Sequence, residues 1–132
     1  MRNERQNDTI AAIATPPGEG GIAIVRISGA RAGEFLPAAF PPARTGEMNH
    51  GHKRYGTLTD PTGAPIDEVM AVFFRAPRSY TREDVAEIHL HGGTMCARAA
   101  MERLLSLGAR AAEPGEFTYR AFMNGRVDLS EA

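Results

Sequence analysis

Asp8 to Gly29 reads DTIAAIATPPGEGGIAIVRISG, two apolar runs with the spacing of strands on either side of a Pro/Gly turn. The first run, Ile10 to Thr15, predicts a short strand that stops at Pro16 and Pro17, which have no N–H to give to a ladder. Gly18, Gly20 and Gly21 permit a tight loop, and Ile22 to Ser28 predicts the second strand. Ile22, Ile24, Val25 and Ile27 give that strand the composition of one covered on both faces, yet Arg26 sits in its middle. A guanidinium there needs an anion, from the protein or from a ligand.

Outward from this stretch, strands and helices interleave. Ala30 to Phe40 predicts an alanine-rich helix closed by Pro41 and Pro42. Residues 43 to 53 lack apolar periodicity and predict an exposed loop. Arg54 to Thr59 and Ile66 to Phe74 flank Asp60-Pro61-Thr62-Gly63, a turn composition that predicts an antiparallel hairpin, and Pro77 breaks the chain after it. Val85 to Gly93 predicts a further strand, Thr94 to Leu107 a helix ended by Gly108, and the segment after Pro114 a short helix ended by Gly125. The pattern is that of an α/β (α+β) domain, a mixed sheet packed with helices. Residues 1–7 read as a polar tail and 8–127 as the domain. Asp128 and Glu131 have the spacing of a capping box, so 128–132 are expected to begin a helical domain cut short by the end of the chain.

Composition narrows the function classes. The chain has 132 residues, 42% of them hydrophobic and 23% charged, which suits one globular domain. A formal net charge of −1 lacks the basic excess of a broad nucleic-acid surface. The single cysteine, Cys96, allows neither an internal disulfide nor a multi-cysteine zinc site, and no apolar run is long enough for a signal peptide or a membrane span. A reducing, cytoplasmic setting without membrane attachment is the expectation.

The chemistry-bearing residues concentrate on the strand at 85–91. Alternation places Val85, Glu87, His89 and His91 on one face and Ala86, Ile88 and Leu90 on the other. Glu87 is thus a carboxylate in the middle of a strand, as Arg26 is a guanidinium. One reading pairs them as a structural ion pair. The other is a pocket, with Glu87 accepting from a ligand's N–H groups while Arg26 meets an oxygen-rich or anionic part, as a heterocycle bearing carboxylates would demand. Arg120 and Arg126 read as solvated surface arginines able to add charge at such a pocket's edge. His89 and His91 point the same way but fall short of a zinc ligand set, and His91 is expected to bond backbone at the Gly92-Gly93 corner. GEGG at 18–21 matches neither phosphate-binding fingerprint and reads as a turn. Cys96 falls within a helix's apolar pattern, as a packing thiol and not a nucleophile.

Three stretches, Asp8 to Gly29, YTREDVAEIHLHGG at 80–93 and PGEFTYRAFMNGRVDLSEA at 114–132, together resemble the N-terminal domain of the tRNA-modification GTPases of the MnmE/TrmE family. That resemblance implies a tetrahydrofolate-binding α/β domain, similar to the folate-binding domain of the glycine-cleavage T protein, which also forms the family's homodimer contact. It carries the folate-contacting roles onto Arg26 in IVRISG, Glu87 in DVAEIH and Arg126 in NGRVDL, the last commonly a lysine in relatives. The cofactor implied is a 5-formyl- or methylene-type tetrahydrofolate. GTP, potassium and magnesium would belong to a G domain that this chain lacks, having no P-loop, and Cys96 does not match the family's C-terminal cysteine motif. In the whole system the implied partners are the flavin-containing MnmG (GidA) and tRNA, whose wobble uridine receives a 5-carboxymethylaminomethyl-type modification. The chain alone is expected to hold cofactor and dimer without catalysis. The competing readings are a dimerisation scaffold without independent folate binding and an autonomous folate-dependent transferase, the latter opposed by the lack of a nucleophile or base set.

Overall fold

The computed structural model describes residues 8–14, 21–40 and 50–125. In chain order these form β1 (Ile10–Ile13), β2 (Ala23–Ser28), α1 (Ala32–Ala39), β3 (Lys53–Thr59), β4 (Pro65–Phe74), β5 (Val85–Leu90), α2 (Gly93–Leu107), β6 (Arg110–Ala111) and α3 (Glu116–Met123). The strands make one six-stranded sheet in the order β3-β4-β5-β2-β1-β6. Every neighbouring pair is antiparallel except β1 with β6, so the sheet is mixed and the expected α/β class holds.

Period-two alternation decides what each face does. The register sets Val25 opposite Ile88 and Ile27 opposite Ala86 on one face, with Arg26 opposite Glu87 and Ile24 opposite His89 on the other. The first face meets α1 and α2, whose Phe35, Leu36, Ala39, Ala100 and Leu104 complete the core with β4's Val69, Ala71 and Phe73. Alternate large and small side chains across the β2–β5 pair let both helices sit close to the sheet. Gly108 ends α2 with φ 116°, the left-handed cap expected of it.

The expectation that β2 is covered on both faces is corrected. On its second face, cover reaches only one end: Ile10, Ser28 and Thr81 are fully buried and Val85 nearly so. That cover comes from the 75–84 loop and α3, tied together by Asn124 Nδ2 donating to the Thr81 carbonyl at 2.8 Å. From the middle of the strand back to its start the face opens: Arg26 and Ile24 are half-buried, and Ile22, just ahead of the strand, is 53% exposed. Strand composition reports apolar content but not what lies above it.

The hairpin forms as read, β3 against β4, with Asp60 Oδ1 accepting from the Thr62 and Ala64 amides at 2.9 Å each. The first helix is shorter than expected, Ala32–Ala39 with Pro37 inside it. Two-residue β6, the edge strand, which runs parallel to β1, carries no periodicity from which the sequence could announce it. The tail 1–7, most of the Gly18–Gly21 turn and the capping box at 128–131 lie outside the described residues.

One glycine holds the junction between β2 and α1. Gly29 has φ 141°, and a Cβ there would lie 2.6 Å from the Thr9 Cα and from its Oγ1, the atom that accepts the Arg31 amide at 3.0 Å. Backbone strain and overpacking therefore add, and Gly29→Ala is expected to cost about 2–4 kcal/mol. Gly63, at φ 90° with open space around it, meets only the conformational part. Urea unfolding of the two alanine variants should separate them, with Gly29→Ala the less stable; equal midpoints would rule out the close approach.

Candidate functional site

Cross-strand neighbours on the open face meet because the register makes them direct partners. Arg26 donates through Nε to Glu87 Oε2 at 2.9 Å, and its Nη2 lies 2.9 Å from the same oxygen. Glu87 Oε1 lies 3.2 Å from His89 Nε2, so both carboxylate oxygens are engaged. The side chains are 30%, 17% and 21% exposed for Arg26, Glu87 and His89, a depth at which charges are dehydrated in part but remain reachable. The ion-pair reading is thus realised in the geometry, on a surface open to a ligand.

Arg26 also separates two clefts. The first, about 510 Å³, is lined by Arg26, Glu87, Phe74, Val85 and the loop residues Arg78, Ser79 and Tyr80. The second, about 390 Å³, runs from Ala12–Ala14 to Glu113–Gly115 and Phe117–Thr118, with Arg26 again in its wall. The guanidinium carbon stands 6.0 Å from the centre of the Phe117 ring. Aromatic and apolar walls with few convergent charges are the usual make-up of a small-molecule site.

Arg120 is the residue that sequence reasoning misplaced. It is not a solvated surface arginine: its side chain is 5% exposed. Nη1 donates to the Asp8 carbonyl at 2.7 Å and to Glu83 Oε1 at 3.1 Å, and Nη2 donates to Asp8 Oδ1 at 2.8 Å. Arg110 closes the other side of the network, 2.6 Å from Asp8 Oδ2 and 2.6 Å from Glu116 Oε2. Ser28 Oγ adds a 2.8 Å donation to Glu83 Oε1. This hub binds α3, the 75–84 loop and the start of β1 to one another, and so fixes Phe117 in one cleft wall and Tyr80 in the other. A further link, 3.0 Å between Tyr80 Oη and Thr118 Oγ1, joins the two walls directly. The signal in the sequence was the Glu116-to-Arg120 spacing of one helical turn, which identifies a pair but not its burial.

The remaining candidates separate by partner. His91 Nδ1 lies 3.1 Å from the Glu68 carbonyl, a backbone bond to β4 and not to the glycine corner, while its amide donates to Asp67 Oδ2 at 2.7 Å. His89 turns to Glu87 instead, so the two histidines do not converge. Cys96 packs against the core with Sγ 3.4 Å from the Ile66 carbonyl, and burial pushes its thiol above the usual range. Among the described residues no three His, Cys, Asp or Glu side chains gather as a metal site. Arg126 lies outside the described residues.

Comparison with known proteins adds the following. The family model described as "GTP-binding protein TrmE N-terminus" matches residues 9–126. A tRNA modification GTPase MnmE from Roseiflexus sp. (strain RS-1) is 56% identical over 126 residues, covering 96% of this chain and 27% of that protein. The protein of the same name from Syntrophotalea carbinolica is 57% identical over 127 residues, 96% of this chain and 28% of that protein. That of Lactiplantibacillus plantarum is 52% identical over 133 residues, 100% of this chain and 29% of that protein. The chain therefore spans under a third of the length of the curated relatives it matches.

The hub makes stability pH-dependent in a definite direction. Burial alone would raise the Asp8 and Glu116 carboxyls, but the Arg110 hydrogen bonds, joined at Asp8 by Arg120, outweigh it and hold both below the usual carboxylate range. The folded state then binds these protons less readily than the unfolded chain. Its stabilisation is present above the ordinary carboxyl range near ~4 and is lost as pH falls through the lowered values. Melting temperatures from neutral pH into acid should fall more gently in Glu116→Gln than in the parent, because one of the linked protons is gone. Parallel profiles would mean that Glu116 is not linked to folding.

Proposed function

The chain belongs to the TrmE N-terminus family, as the N-terminal domain of a tRNA modification GTPase, and we propose that it holds a tetrahydrofolate derivative at Arg26 and Glu87 and joins two copies of itself. The observation that carries the folate reading is the half-open Arg26–Glu87 pair. A partly buried ion pair stabilises a fold little, since apolar side chains of similar volume pack as well at that depth. Placed between two clefts, it acquires a purpose as a polar anchor. A reduced pterin presents ring N–H and amino donors that suit the Glu87 carboxylate, and its oxygen-bearing and glutamyl parts suit guanidinium groups. The first cleft, at about 510 Å³, has the size of a site for a ligand of that class. Arg126, close in sequence to α3 and its Phe117, is the third contact in this reading.

In the whole protein the bound folate would carry a one-carbon unit, 5-formyl- or methylene-type, toward the wobble uridine of tRNA, with flavin-containing MnmG (GidA) as partner. GTP, potassium and magnesium would be handled by the G domain, and the assembly would work in the cytoplasm. No helix among the described residues is long and apolar enough to cross a membrane. The domain's own contribution is binding and positioning, with no group-transfer step assigned to its residues.

A second reading, a dimerisation scaffold without independent folate binding, draws on the closed state of the same pair: Glu87 is already satisfied by Arg26 and His89, so a ligand must displace existing bonds. Exposed Tyr119, Phe122 and Met123 on α3 offer apolar surface for association.

Calorimetric titration with 5-formyltetrahydrofolate separates the two. Removing a hydrogen bond to a charged group is expected to weaken binding about tenfold to a hundredfold in Arg26→Ala and in Glu87→Gln, with small changes in melting temperature. A dimer in sedimentation together with no heat on titration would favour the scaffold. Variants that lose stability while keeping affinity would return the pair to a structural role.

A further inference from the structure

The charges of the first cleft do not balance. Among its described lining residues, the formally charged groups are Arg26, Arg78 and Glu87. Arg26 and Glu87 neutralise each other at 2.9 Å, and the second carboxylate oxygen is taken by His89. Arg78 is left over: it is exposed, and its side chain makes no ion pair or hydrogen bond among the described residues.

The position of Arg78 is nevertheless held from the backbone. The Arg78 amide donates to the Arg75 carbonyl and the Ser79 amide to the Pro77 carbonyl, each at 2.9 Å. The Ser79 hydroxyl bonds the Glu83 carbonyl, and the Ala76 amide donates to Asp84 Oδ1 at 2.8 Å. The same loop carries exposed Arg75 and Arg82, the latter at φ 63°. The loop's acidic side chains offset this positive charge only in part: Glu83 is matched by Arg120 and bonded by Ser28, and Asp84, bonded to the neutral Ala76 amide, stands as one carboxylate against the three arginines. The mouth of the cleft therefore presents a net positive edge, while its floor is neutral.

We infer that Arg78 is a specificity-determining residue that reads the anionic end of the ligand, preferring folates that carry a γ-linked chain of glutamates over the monoglutamate. The inference rests on the folate reading above and adds a polarity to it. The heterocycle lies toward Glu87, where its N–H donors find an acceptor. The carboxylates lie toward the solvent, where they keep part of their hydration and meet a guanidinium without an anion. Each added glutamate brings another carboxylate charge into the field of Arg78, with Arg75 and Arg82 on the same loop. Arg26, already matched by Glu87, contributes little to that charge preference.

The test titrates 5-formyltetrahydrofolate, as the monoglutamate and as the triglutamate, into the 132-residue chain and its Arg78→Gln, Arg78→Lys and Glu87→Gln variants. The parent is expected to bind the triglutamate about fivefold more tightly at low salt, as a partly exposed charge contact allows, with the gap closing as salt screens it. Arg78→Gln should bring the ratio to about one, Arg78→Lys should keep most of it, and Glu87→Gln should weaken both forms by the same factor, leaving the ratio unchanged. A ratio near one in the parent, an unchanged ratio in Arg78→Gln, or an equal loss of both forms in that variant overturns the role of Arg78 while folate binding stands. Absence of heat with either form in the parent overturns the folate reading and this inference with it.

Discussion

The antiparallel register of β2 against β5 is the constraint on which the rest of the molecule depends. It pairs Val25 with Ile88 and Ile27 with Ala86 under the helices, and by the same step sets Arg26 against Glu87 on the opposite face. A slip by one residue would turn a guanidinium into the core and two apolar side chains out of it. Core packing and charge pairing are therefore two readings of one register. Each supports the other: the apolar set favours it by burial, and the charge pair penalises its neighbours.

Two arginines of this chain differ in depth and in partners. Arg120 is 5% exposed and surrounded by Asp8, Glu83 and Glu116, an arrangement in which losing one partner would strand the others in a dehydrated site. Its consequence is geometric, because it locks α3 and the 75–84 loop to β1 and so sets the spacing of the two cleft walls. Arg26, at 30%, has one carboxylate partner and two open sides. The difference in burial separates an arginine enclosed by the fold from one that solvent still reaches.

Much of this was legible along the chain. The alternation in VAEIHL divides core from polar face correctly, the Asp60–Gly63 turn forms its hairpin, and Gly108 caps its helix. Those features are local, and local spacing carries them. What was not legible is relational. Whether β2 is covered on its second face depends on where a loop fifty residues later comes to rest, and the burial of Arg120 depends on an aspartate 112 positions away. Isolated arginines look alike in sequence, since their long apolar stems suit surface and interior equally. The Arg26–Glu87 pair lay between these extremes: each member declared itself as a charge within a strand, but only the register made them neighbours.

The closed state of that pair bears on how a ligand could use it. A heterocycle that donates to Glu87 and accepts from Arg26 exchanges one set of charge-assisted bonds for another, so the exchange itself contributes little net affinity and acts mainly as a test of hydrogen-bond pattern. A molecule lacking either the donors or the acceptor would leave a half-buried charge unmatched and be rejected at a larger cost than a good ligand gains. Affinity must then come from apolar burial against the Phe74, Tyr80 and Phe117 rings along the two clefts, and from the positive charge of Arg78. Under the proposed folate reading, selectivity at the floor and attraction at the rim would be separate properties of one site, with the hub around Arg120 holding the two walls in place.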